Sequence, residues 1–190
     1  MKKRSFRIRY NSPVVLTFAL LSLAALLADS VSIGVSRQLL FSVYSFSPDQ
    51  PMGYVRLVTH VLGHSSWEHY AGNMTLLLVI GPALEQRYGS RTLLLCIVFT
   101  ALVTGLAQCL FVPGVALCGA SGVVFMMILL SSMGSTRGGG IPLTMVIVAI
   151  FYLGSEIASA VTVRDNISQL SHILGGICGA GIGFYLEARE

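Results

Sequence analysis

Six apolar stretches, each approaching the length of a bilayer crossing, constrain this chain more than any other feature. They lie at residues 13–28, 67–85, 92–111, 119–133, 142–161 and 170–186. A helix needs about 20 residues to cross a hydrocarbon core of ~30 Å, so the first and fourth are short for the task. Helix is the structure such stretches require, because lipid cannot satisfy open backbone groups and no period-two alternation suggests a barrel. The breaks are clear: Pro48 and Pro51, then Pro113, then Gly138, Gly139 and Gly140. Charge is scarce as well, at 11% of residues against about 25% in soluble domains. That excludes a soluble globule and a disordered chain, and leaves an all-α, multi-spanning membrane protein.

The basic residues orient it. With the N-terminus inside, the inner segments hold Lys2, Lys3, Arg4, Arg7, Arg9, Arg87, Arg91, Arg137 and Arg189. The outer segments hold only Arg37, Arg56 and Arg164. The positive-inside rule therefore predicts cytoplasmic N- and C-termini and an even number of spans. Residues 1–12 read as a basic cytoplasmic tail and residues 13–187 as the transmembrane domain. A tail is not a binding face, so no nucleic-acid partner is expected. The first stretch is read as a retained span, because Leu26 and Ala28 make a poor signal-peptide cleavage site. Cys96, Cys109, Cys118 and Cys178 sit in or beside spans and read as packing residues, with no metal-site spacing among them.

Polar side chains inside spans are expensive and usually functional. In the predicted topology, spans two, four and six all run from outside to inside, so their first turns share one outer layer. Those turns carry His69 and Asn73, then Gly119-Ala120-Ser121-Gly122, then Ser171-His172. A hydroxyl, an imidazole and amide-type donors at one depth are the parts of a nucleophilic hydrolase. Ser121 needs a base to take its proton, and His172 has the pKa range for it. Gly119 and Gly122 permit close approach of backbone to a substrate carbonyl, and a helix N-terminus at Ser121 favours a developing oxyanion. His69 and Asn73, four apart, share a helix face. No acid accompanies His172 except Asp165 in the preceding loop, so a Ser–His dyad is expected rather than a triad. Gly175, Gly179 and Gly183 form a small-residue stripe that lets span six approach a neighbour closely. Taken singly, each of these features also fits plain helix packing; their coincidence at one depth points to a site.

These residues resemble the rhomboid family of intramembrane serine proteases. The matching motifs are His60-x-x-x-His64-x-x-x-x-His69-x-x-x-Asn73, Gly119-Ala120-Ser121-Gly122 and Ser171-His172-x-x-Gly175-x-x-x-Gly179, within residues 56–185. The resemblance implies a six-helix bundle with a cavity open to the outer side, in a cell (inner or plasma) membrane. It implies Ser121 as nucleophile, His172 as general base, and His69, Asn73 and the Ser121 backbone N–H as oxyanion hole. It also implies transmembrane protein substrates cut in or near the membrane, with the bilayer as surroundings and neither cofactor nor metal. Gly119, Gly122, Gly175 and Gly179 would support the site, and span five would gate it.

Two departures stand out. Many rhomboids carry a Trp-Arg pair in the first outer loop, whereas here Arg37 follows Ser36 and the only Trp is Trp67. Ser171 precedes His172 where Ala is common. With no soluble domain or seventh span, the chain resembles the basic bacterial form. His60 and His64 read as structural hydrogen-bonders, while Glu85, Arg87 and Arg91 read as helix caps or mutual pairs. Glu156 is left as a charge within span five. Two other classes stay open: a catalytically inactive relative that binds membrane proteins, and a small transporter.

Overall fold

The computed structural model describes residues 10–133, 141, 143–148, 150–151 and 166–188. Helix α1 spans Pro13–Val31, α2 Val35–Leu40, α3 Pro51–Thr59, α4 Trp67–Tyr88, α5 Ser90–Phe111, α6 Ser121–Met133 and α7 Asn166–Glu187. A 3₁₀ turn, His60–Leu62, follows α3. Five of the six predicted spans coincide with helices. The fifth, residues 142–161, lies largely outside the described residues, as do Gly138, Glu156, Arg164 and Asp165. Residues 143–148 within it are helical.

Among the described residues, α1 and α5 are long and apolar enough to cross a membrane, and α6 is a shorter apolar helix. Helix α6 sits at the centre. Val123, Val124, Met126, Met127, Leu129, Leu130 and Met133 are all buried, and α7, α4 and α5 pack around them. The outer faces of the ring carry Leu20, Val79, Leu95, Phe99, Leu110 and Ile177 in exposed positions. Meanwhile Ser22, Asn73, Thr100, Thr104 and Gln108 are buried. Apolar outside with polar groups gathered inside is the distribution a bilayer selects.

The glycine stripe is what allows α7 to lie against α6. A Cβ on Gly175 would overlap the carbonyl oxygen of Gly122, and one on Gly179 would overlap that of Met126. At Gly183 it would stand 2.6 Å from the Met133 side chain. The two backbones touch, as small residues permit in membrane helices.

At the opposite end, Glu85 of α4 caps α1. Its carboxylate accepts from the backbone N–H groups of Val14 at 2.9 Å and Val15 at 3.0 Å, and from the Ser90 hydroxyl at 2.7 Å. The α1 N-cap residue, Ser12, makes no side-chain cap of its own, so the acid at the positive helix end comes from another helix. Arg87 pairs with Glu187 of α7 at 2.7 Å. Glu85 and Arg87, near the α4–α5 turn, therefore act between helices more than with one another. Glu85→Ala should cost about 2–4 kcal/mol, because it leaves buried donors without an acceptor. Thermal unfolding in detergent should show it, and Glu85→Gln should fall between.

Residues 32–66 form a structured cover over the C-terminal end of α5 and the start of α6. Val43 and Leu117 exchange backbone hydrogen bonds at 2.9 and 2.8 Å. Ser45 donates to the Cys109 carbonyl at 2.8 Å. The cover is held without a Trp-Arg pair: buried Arg56 donates to the Tyr44 hydroxyl at 2.6 Å and lies 4.1 Å over its ring. Arg37 pairs with Asp29 at the end of α1, 3.2 Å away.

Candidate active site

The site begins with how α4 starts. Ser66 is its N-cap, accepting from the backbone N–H of His69 at 3.2 Å, the preferred role of a serine at that position. This fixes His69 in the first turn, and the Ser65 hydroxyl lies 3.2 Å from its Nδ1. One turn on, Asn73 is buried, and its Nδ2 finds no hydrogen-bond partner among the described residues. A buried amide donor costs free energy when left unpaired.

Gly119 ties α4 to α6. Its φ of +135° lies where side chains are strained. A Cβ there would stand 2.8 Å from His69 Cε1, 2.9 Å from His69 Nε2 and 3.9 Å from Ser121 Oγ. The hydroxyl of Ser121 and the imidazole of His69 thus flank one point. The loop is held in place by the Gly119 N–H, which donates to the His60 carbonyl at 3.0 Å. Ser121 opens α6, with the unpaired N–H groups of a helix start around it.

Helix α7 supplies the third part. The Ser171 hydroxyl packs 2.8 Å from where a Gly122 Cβ would be, and the His172 ring lies 4.7 Å from the Phe125 ring. Ser121 and Phe125 are four apart and so share a face of α6. The imidazoles of His69 and His172 are within electrostatic range of each other. The structure thus brings Ser121, His69, Asn73 and His172 to one end of the bundle, with Gly119, Gly122 and Gly175 as the points of close approach.

Sequence reasoning missed Ser65, Ser66 and Phe125. A Ser-Ser pair just before an apolar helix is a capping signal, whereas nothing in the sequence marks Phe125. His60 and His64 both hydrogen-bond to backbone, His64 Nδ1 lying 3.2 Å from the Leu62 carbonyl, while His64 Nε2 is buried with no partner among the described residues. His60 Nδ1 lies 3.1 Å from the Arg56 carbonyl and its Nε2 lies 3.3 Å from the Thr104 hydroxyl of α5. Burial pushes its pKa down to about 4 against the hydrogen bond to Arg56. Burial likewise lowers His64 to about 4, with the nearby His69 adding to the effect. Both are neutral when folded, while an unfolded chain takes up these protons near pH 6.5. The folded form binds fewer protons below that point, so its stability should fall steadily from pH 6.5 towards pH 4. Unfolding midpoints measured across that interval should decline, and less steeply in His60→Asn.

Helices with apolar outer faces and polar side chains buried among them define a helical membrane protein. The rhomboid domain, as described for its family, matches residues 51–189. This chain belongs to the rhomboid family. The match runs from α3 through α7 and so takes in every residue of the site. The chain is 27% identical over 160 residues to Rhomboid-related protein 2 of Mus musculus, across 77% of this chain and 52% of that protein. It is 29% identical over 111 residues to Rhomboid protease GlpG of Haemophilus influenzae, across 58% of this chain and 57% of that protein. The chain spans little more than half the length of these curated relatives.

Proposed function

We propose that this chain is an intramembrane serine endopeptidase that cuts membrane-anchored proteins in or near their transmembrane segments, using a Ser121–His172 dyad. The observation that carries the reading is the flanking of one point at Gly119 by the Ser121 hydroxyl and the His69 imidazole, with an unpaired Asn73 amide buried one turn away. The similarity to a protein named a rhomboid protease supports it. In this reading the site is reached from the extracytoplasmic side of a cell membrane. Six spans with both termini inside complete the topology, and span five serves as the gate for the substrate.

In the first half-reaction, Ser121 Oγ attacks the scissile carbonyl carbon while His172 takes the hydroxyl proton. The carbonyl oxygen becomes an oxyanion, held by His69, Asn73 and the Ser121 backbone N–H. The carbon–nitrogen bond breaks as His172 passes its proton to the leaving amine, and an acyl-enzyme remains. Water, deprotonated by His172, then attacks the ester, and the proton returns to Ser121 as the acid product leaves. No cofactor or metal takes part.

Reconstitution with a single-span model substrate tests this. Wild type should cleave it and Ser121→Ala should not; equal cleavage by both would sink the assignment. Asn73→Ala removes one oxyanion donor and should lower kcat by roughly 10²-fold, with KM little changed.

A further inference from the structure

We propose that the Ser65 hydroxyl selects the tautomer of His69, donating to Nδ1 so that the ring N–H resides on Nε2. The inference rests on the reading of His69 as an oxyanion donor to the Ser121 reaction. Ser65 touches no substrate in it and is a positioning residue.

A neutral imidazole has a single N–H, and its second nitrogen is an acceptor. Neither nitrogen of His69 has a carboxylate partner among the described residues, so nothing there holds a second proton on the ring. The two nitrogens have unlike surroundings. Nδ1 lies 3.2 Å from Ser65 Oγ. Nε2 faces Gly119, 2.9 Å from a point that is itself 3.9 Å from Ser121 Oγ.

The ring has little freedom to exchange these roles. Its backbone N–H is held by Ser66 at 3.2 Å, and the His64 ring packs edge-on at a centroid distance of 5.0 Å. Gly119 closes the Nε2 side.

The remaining freedom is the direction of the Ser65–His69 hydrogen bond. With the proton on Nδ1 and Ser65 accepting, Nε2 presents a lone pair to the developing oxyanion and repels it. With Ser65 donating, Nε2–H points at that oxygen. A serine hydroxyl can rotate to donate, and it lies at the one nitrogen where donation forces the productive tautomer. The part has a structural simplicity: one exposed hydroxyl sets the polarity of a ring whose other end works in the site.

The chain has four histidines, so ¹⁵N-histidine NMR of the full chain in micelles can resolve His69, assigned by its loss in His69→Gln. Wild type should show His69 with a bare Nδ1 and a protonated Nε2. Ser65→Ala should move population to the Nδ1–H form, and Ser65→Thr, which keeps the hydroxyl, should restore it. Ser65 is exposed and precedes α4, so the fold does not depend on it. In cleavage assays Ser65→Ala should lower kcat roughly three- to ten-fold at unchanged KM, the worth of one neutral hydrogen bond. The gap to wild type should narrow as pH falls, because a protonated imidazole carries N–H on both nitrogens. An Nδ1–H tautomer in wild type, or the same tautomer in wild type and Ser65→Ala, overturns the proposal. An inert Ser121 towards a fluorophosphonate overturns the protease reading instead, and the NMR result still decides the role of Ser65.

Discussion

Ser121→Ala and His172→Ala should each remove nearly all cleavage activity, by about 10⁴- to 10⁶-fold, the range over which dyad and triad members act as a unit. The two losses should not add: a double variant should be no worse than the weaker single one, because a nucleophile without its base and a base without its nucleophile fail alike. The fold should survive both changes. Ser121 is only partly buried at the start of α6 and His172 only partly buried in α7, and helix–helix contact is made by the glycines beside them. Unfolding midpoints of the two variants should therefore stay close to wild type while cleavage of a single-span substrate disappears. Coupled loss of fold and activity would assign these side chains to packing.

Gly175→Ala should be the most damaging conservative change in the bundle. The added Cβ meets the backbone carbonyl of Gly122, and backbone cannot swing aside as a side-chain tip does. Overpacking of this kind costs about 1–3 kcal/mol or more. It should also act on chemistry, since Gly175 lies one turn from His172 and Gly122 directly follows Ser121. Pushing α7 away from α6 displaces base from nucleophile, and misplacement by ~1 Å can cost 10²-fold in rate. Gly181→Ala on the same helix is the control. Gly181 is exposed with nothing within 4 Å of a Cβ, so alanine should gain about 1 kcal/mol of helix propensity and leave cleavage unchanged. Equal behaviour of the two variants would remove the stripe from the account of the site.

Much of this architecture was legible because its determinants are local and periodic. Apolar runs located α1, α4, α5, α6 and α7 within a few residues. Some ends moved where polar residues continue a helix beyond its apolar stretch: α4 runs on to Tyr88, and α7 begins at Asn166, while α6 begins two residues later than its apolar stretch, at Ser121. The glycine spacing also foretold a close helix approach by α7, which the structure makes with α6. Three partnerships were hidden because they link residues whose spacing carries no pattern. Glu85 caps a helix some 70 positions earlier. Val43 pairs with Leu117 across α3, α4 and α5. Arg56 anchors the 32–66 cover through Tyr44, work that the missing Trp-Arg pair had left unassigned. Ser65 escaped notice for another reason: its effect depends on a rotamer and a tautomer, which residue type alone does not encode.

The most direct test of the central claim, that Ser121 is a nucleophile activated by His172, needs no substrate. Incubate the purified chain with a fluorophosphonate and map the adduct by mass spectrometry. The expected result is a single adduct on Ser121, absent in Ser121→Ala and formed far more slowly in His172→Ala. An unmodified Ser121 in folded wild type, or one that reacts equally fast without His172, would contradict the claim.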